Sequence, residues 1–141
     1  MDLKYFAADT QGELFRYMVK QGYDLIDFAL RFMSSKETEL YLDKDYTIYQ
    51  HYKPELLITY FSDDVQNPIK AKDVWAPELS WWVGWAYRFL THNKELKSKE
   101  VVKAIPPKRL ISVYPAYHTF LNDYYLLERL YEDYEEGISK E

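Results

Sequence analysis

Cysteine is missing from this chain altogether. Its absence excludes disulfides, thiolate nucleophiles and cysteine-ligated zinc, and it suits a reducing compartment. Glycine is scarce, at four residues, and no glycine-rich loop is present to cradle a phosphate. The six prolines fall mostly where helices would begin or end. No uninterrupted apolar run approaches the ~20 residues that cross a bilayer. Met1-Asp2-Leu3-Lys4 lacks the basic-then-apolar order of a secretory signal. These absences lead to the expectation of a soluble, cytoplasmic protein.

Complete chemical motifs are also lacking. The histidines are His51, His92 and His118, and no pair of them has helical spacing. Zinc needs three or four converging ligands, so no metal and no other cofactor is expected. His92 suits a helix C-terminus and His118 the turn before Thr119. Asp24 and Asp27 resemble an acid–base pair but fit better as a cap and a first-turn residue. No serine stands in a G-x-S-x-G setting.

Positive charge is in deficit. The net charge of −5 makes the whole molecule a poor binder of polyanions. The distribution is uneven, with Lys94, Lys97, Lys99, Lys103, Lys108 and Arg109 in one stretch and an acidic region after Leu121. The basic stretch 97–109 offers an alternative reading as a weak nucleic-acid binder through two short helices. A reading helix needs an exposed polar face, and Lys108-Arg109-Leu110-Ile111-Ser112-Val113 is too short and too apolar. The acidic C-terminal helix argues against anionic membranes.

What the chain does have is aromatic side chains. They make up 18% of its 141 residues, and 15 of them are tyrosine. Tyrosine suits both core boundaries and interfaces. The length fits a single domain over 1–141.

The hydrophobic pattern predicts an all-α, compact, irregular multi-helix domain, with a short extended segment over Leu3–Ala8. Thr10-Gln11-Gly12-Glu13 has the form of a capping box, and Gly22 suits a left-handed stop. Asp24 caps a helix whose Leu25, Phe28, Ala29 and Phe32 share one face. Ser35 caps a short helix to about Leu42. Asp45 to Tyr52 reads as a strand or a buried loop. Pro54 opens a helix to Phe61, and Ser62 to Asp73 reads as a loop. Pro77 opens a helix to about His92. Ser98 caps Lys99 to Ile105, and Pro107 opens a helix to Val113. Thr119 caps a last helix, Phe120 to about Glu136, whose apolar stripe includes Tyr131 and Tyr134.

All four tryptophans lie between Trp75 and Trp85. In the helix from Pro77, Leu79, Trp82, Val83, Ala86, Phe89 and Leu90 form one stripe, and Trp81, Trp85 and Arg88 lie roughly opposite. Two tryptophans on a second face are costly to leave in water, at ~25 cal/mol per Å². Either the N-terminal helices cover them or a partner does. Trp81, Trp85 and Arg88 are therefore candidate partner-binding residues, with Arg88 placed to lie over either ring. Tyr131 and Tyr134 are candidates for a second contact face, for a partner or for self-association.

Trp81-Trp82-Val83-Gly84-Trp85-Ala86-Tyr87-Arg88-Phe89-Leu90, Ser98-Lys99-Glu100-Val101-Val102, Ile105-Pro106-Pro107 and Leu110 to Thr119 form a pattern. It resembles that of small uncharacterised bacterial proteins of similar length that begin with a Tyr-Phe pair, as Tyr5-Phe6 does here. Genes of that group lie beside toxin–antitoxin modules, including modules with ADP-ribosyltransferase-like toxins. The resemblance covers mainly Trp81 to Thr119, carries over no catalytic residue, and implies an accessory or antitoxin-like role. The expectation is a non-enzymatic protein-interaction module. The alternative is an enzyme whose site is assembled from scattered carboxylates and histidines.

Overall fold

Residues 3–44, 46–114, 127 and 129–132 are described by the computed structural model. The first helix, α1, runs Leu3–Lys20 without a break. Where the pattern suggests an extended Leu3–Ala8, the chain is helical. Nothing in that stretch breaks a helix, and Ala7 and Ala8 are good helix formers that end up fully buried. Thr10 therefore lies inside the helix and caps nothing. Its hydroxyl donates to Gln50 O at 2.6 Å and ties α1 to the segment that follows α3.

Helix α1 ends as the sequence indicates. Gly22 has φ +93°, Gly22 N donates to Val19 O and Tyr23 N to Met18 O, which is a Schellman stop. Asp24 caps α2 (Leu25–Met33) by accepting from Asp27 N at 2.9 Å. The expected face of α2 is buried, and Phe15, Phe28 and Phe32 make mutual ring contacts, extended by Phe61 at 5.2 Å from Phe32. Ser35 caps α3 (Lys36–Tyr41) by accepting from Thr38 N.

The ambiguous segment after α3 is a 3-10 turn over Ile48–His51. Pro54 opens α4 (Pro54–Leu57), which tightens into a 3-10 turn over Ile58–Tyr60. The segment expected to be loop contains one short helix, α5 (Asp63–Gln66). The rest of it crosses beside α1 and α2 through a single bridge between Tyr23 and Lys70.

Pro77 opens α6 (Pro77–Asn93), followed by α7 (Ser98–Ala104) and α8 (Pro107–Ser112). The sequence places Ser98 before α7 as its cap. It instead forms the first residue of the helix, with Lys97 at the capping position and Glu100 reaching back to Lys97 N. Leu127 and residues 129–131 are helical and in part buried, within the last helix expected from the sequence. Pro115, His118, Thr119 and Tyr134 lie outside the described residues. Among the described residues no strand forms, and the fold is all-α.

Helix α6 is the centre of the core. It packs mainly along α1 and also meets α7 and α8. The approach to α1 is close because each helix offers a glycine. A Cβ on Gly84 would lie 2.7 Å from Gln11 O and from a ring carbon of Phe15. A Cβ on Gly12 would lie 2.8 Å from the Trp81 ring. Eleven of the twelve residues of α6 from Ser80 to Thr91 are buried, Trp81 being the exception.

Candidate interaction surface

The tryptophan helix supplies no free aromatic face. Trp81 and Trp85 stack along α6 with ring centres 6.4 Å apart, and Trp85 stacks on Phe89 at 5.2 Å. Helix α1 covers this row. Trp81 Nε1 donates to Glu13 Oε1 at 3.2 Å, and the Trp85 indole bonds the carboxylate of Asp9. Burial raises the Asp9 carboxyl pKa, the Trp85 bond opposes that rise, and the charge of Glu13 adds to it. Trp85 is only 7% exposed and Trp81 is half-buried. Of the two ways of hiding these rings, the protein uses its own N-terminal helix.

Arg88 departs furthest from expectation. It is fully buried, so it cannot serve as a surface anchor. Its Nε donates to Gln11 Oε1 at 2.8 Å, Nη1 to Leu42 O at 3.0 Å and to Asp43 Oδ1 at 2.8 Å, and Nη2 to Ser98 Oγ at 2.8 Å. Ser98 in turn donates to Asp43 through both its hydroxyl and its backbone N–H. Burial pushes the guanidinium pKa down, and Asp43 beside it acts in the opposite sense. The group thus joins α1, the end of α3, α6 and α7 at one point. A buried charge survives only when paired and hydrogen-bonded, and this one is both.

Tyr131 is likewise a core residue, 8% exposed, with Lys94 Nζ 5.6 Å from its ring centre. Of the candidate partner-binding residues, Trp85, Arg88 and Tyr131 are thus all buried. For Trp85 and Arg88 the physical reason is contact with neighbouring segments, Asp9 on α1 for the first and Gln11, Leu42, Asp43 and Ser98 for the second.

The histidines do not converge. His51 is exposed and packs its ring on Phe6 and Tyr46, while His92 Nε2 lies 2.8 Å from Leu42 O. No group of three potential metal ligands occurs among the described residues. A cleft of about 490 Å³ beside His92 is bordered by Glu39, Asp43, Glu95 and Lys97. Asp43 is committed to Arg88 and Ser98, and Glu39 pairs with Lys97 at 3.0 Å, which raises the Lys97 pKa. The polar groups of this cleft are thus largely engaged in structural contacts. Two adjoining hollows of about 500 and 340 Å³ flank Lys72 to Trp75, but their one half-buried carboxylate, Asp24, already caps α2 and accepts from Trp75 Nε1. In the basic stretch, Lys99, Lys103, Lys108 and Arg109 are exposed on helices of seven and six residues whose other sides face the core.

The feature that the sequence pattern does not single out is a tyrosine face between α3 and α4. Tyr41 stacks on Tyr49 at 4.1 Å, and Tyr52 stacks on Tyr60 at 5.5 Å. The two stacks meet edge to face, with Tyr49 5.2 Å from Tyr60 and 5.6 Å from Tyr52. Desolvation among these rings raises the Tyr52 hydroxyl pKa, and its hydrogen bond with Tyr60 adds to the rise. Around this cluster the segments from Leu40 to Tyr60 expose Leu40 (55%), Tyr46 (54%), Ile48 (58%), Leu56 (47%) and Tyr60 (40%). Tyr41, Tyr46, Tyr49, Tyr52 and Tyr60 lie within twenty residues of sequence, and all but Tyr46 join the interlocked cluster. That local density of tyrosine is the available signal in the sequence.

No family model matches the chain, nor does any curated protein or solved structure.

Proposed function

We propose that the chain is a non-enzymatic protein-interaction module that works through the tyrosine face of residues 40–60. One observation carries this reading. The protein covers Trp82 and Trp85 almost completely yet leaves five large apolar side chains exposed on one short stretch, over a framework of interlocked tyrosines. Single exposed apolar residues need no explanation, and it is their concentration on one stretch of chain that supports a site of contact. Tyrosine is well suited to it, because it presents a large, rigid, amphipathic area at low entropic cost.

In this reading the tryptophans and Arg88 build the scaffold that holds the face. The accessory or antitoxin-like role implied by the sequence resemblance is the specific form proposed: the face would cover the working surface of a partner protein.

Quantitative affinity capture from native cell extract tests the proposal. The wild-type chain is compared with an Ile48→Glu, Leu56→Glu variant shown by thermal unfolding to be folded. A protein retained by the wild type and lost from the variant is the expected result. Capture of nothing, or equal capture by both, would overturn the proposal.

A further inference from the structure

We infer that the two hollows flanking residues 72–74 form one binding site for a small organic anion with a flat aromatic body. The site shares no residue with the tyrosine face, and the inference goes beyond the reading of that face.

Local bonding builds the site. Residues 69–71 run beside the turn between α1 and α2. Ile69 N donates to Asp27 Oδ2 at 2.8 Å, Asp24 N to Ile69 O at 2.8 Å, and Ala71 N to Gly22 O at 2.9 Å. Past this tie the chain is fastened again, where Trp75 Nε1 donates to Asp24 Oδ1 at 2.9 Å. Between the two fastenings, residues 72–74 are exposed and line both hollows. Trp75 lines both as well, and its bond to Asp24 holds the indole in place. A fixed ring of this size is a platform for another flat ring.

The lining sets the chemistry. At about 500 and 340 Å³ the hollows fall in the range of roughly 300–1,000 Å³ usual for small-molecule sites. Val74 is 94% exposed and Ile69 59%, so apolar area at the mouth stands in water that an apolar ligand would release. The charged residues of the lining are Lys20, Lys70 and Lys72 against Asp24 and Asp73. Asp24 is spent, since its two oxygens accept from Asp27 N and Trp75 Nε1. Lys70 Nζ is held 3.3 Å from Gln21 O and 4.0 Å from the centre of the Tyr23 ring. That leaves Lys20 and Lys72 against Asp73, an excess of positive charge on a protein of net charge −5. Lys72 is the cation common to both hollows, and its ammonium has no ion pair or hydrogen bond among the described residues. A ligand carboxylate or sulfonate would accept from it while the ring of the same ligand lies on Trp75.

The test titrates the full chain with anilinonaphthalene sulfonate, an aromatic sulfonate whose emission rises out of water. Lys72→Glu should weaken binding about tenfold, the worth of one hydrogen bond to a charged group. Val74→Asp should weaken it too, and both positions are exposed, so neither change disturbs the core. The Ile48→Glu, Leu56→Glu variant should bind as the wild type does. Phenylnaphthylamine, the uncharged counterpart, should bind less tightly, and naphthoate should displace the dye more readily than octanoate. Absence of binding, or binding indifferent to Lys72→Glu, would overturn the inference. So would equal binding of the uncharged compound, displacement by octanoate as readily as by naphthoate, or loss of binding in the Ile48→Glu, Leu56→Glu variant.

Discussion

Gln11 Oε1 accepts from Arg88 Nε at 2.8 Å across 77 residues of sequence. The other end of the same amide, Nε2, donates to Gly84 O at 2.9 Å. One buried glutamine on α1 thus engages both a side chain and the backbone of α6, and it fixes how the two helices sit along each other. Arg88 extends that joint to Asp43 and Ser98.

Breaking this joint from one side should be costly. Arg88→Ala leaves Asp43 with little exposure and no guanidinium, and loss of one partner of a buried pair typically costs about 3–5 kcal/mol. Denaturant unfolding measures it. Asp43→Ala should cost a comparable amount, and the double variant less than the two costs added, because the residues share one network. Additive costs would show that the pair is not a unit.

At the helix crossing the usual preference for alanine over glycine inverts. Alanine inside a helix is ordinarily favoured by about 1 kcal/mol. A Cβ on Gly84 would meet Gln11 O and Phe15 at 2.7 Å, so Gly84→Ala should destabilise by about 1–3 kcal/mol. Gly12→Ala should do the same and shift tryptophan emission by displacing Trp81, which steady-state fluorescence would detect. A stabilised Gly84→Ala protein would contradict the packing described.

These two glycines mark where legibility in the sequence ends. Helical periodicity and caps such as Asp24, Ser35 and Gly22 act over a few residues, so they are readable from local pattern. The two-faced burial of α6 was also readable as a choice between self-coverage and a partner. What settles that choice is contact between Gly12 and Trp81 and between Gln11 and Arg88, which no local pattern encodes. Arg88 looked like a surface anchor because its buried partners, Gln11 and Asp43, are 77 and 45 residues away. The tyrosine face is not legible in the sequence because 46–52 has neither a helix nor a strand period, and its rings meet Tyr41 and Tyr60 from separate segments.

Glu95 supplies a contrast to Gly22. It occupies the left-handed position of a Schellman stop after α6, with φ +54°, while Leu96 N donates to Thr91 O and Glu95 N to His92 O. Side chains other than glycine pay for that conformation by roughly 1 kcal/mol or more. Glu95→Gly should therefore raise stability by about 1 kcal/mol in thermal or denaturant unfolding. A loss of stability would show that the Glu95 side chain makes a compensating contact.

Quenching of intrinsic fluorescence checks the burial of α6. With Trp82 and Trp85 at 2% and 7% exposure, and Trp81 bonded to Glu13, iodide should leave most of the tryptophan emission intact. Quenching of the whole emission at the rate of free indole would show that the row is open to solvent and would return it to candidacy as a contact face.

The most direct measurement places a photo-crosslinking amino acid at Ile48 and, separately, at Val74 in cells producing the protein. Val74 is 94% exposed and Ile48 58%, so exposure alone favours crosslinking from Val74. The account predicts a discrete protein adduct from position 48 and none from position 74. An adduct from position 74, with none from position 48, would contradict it.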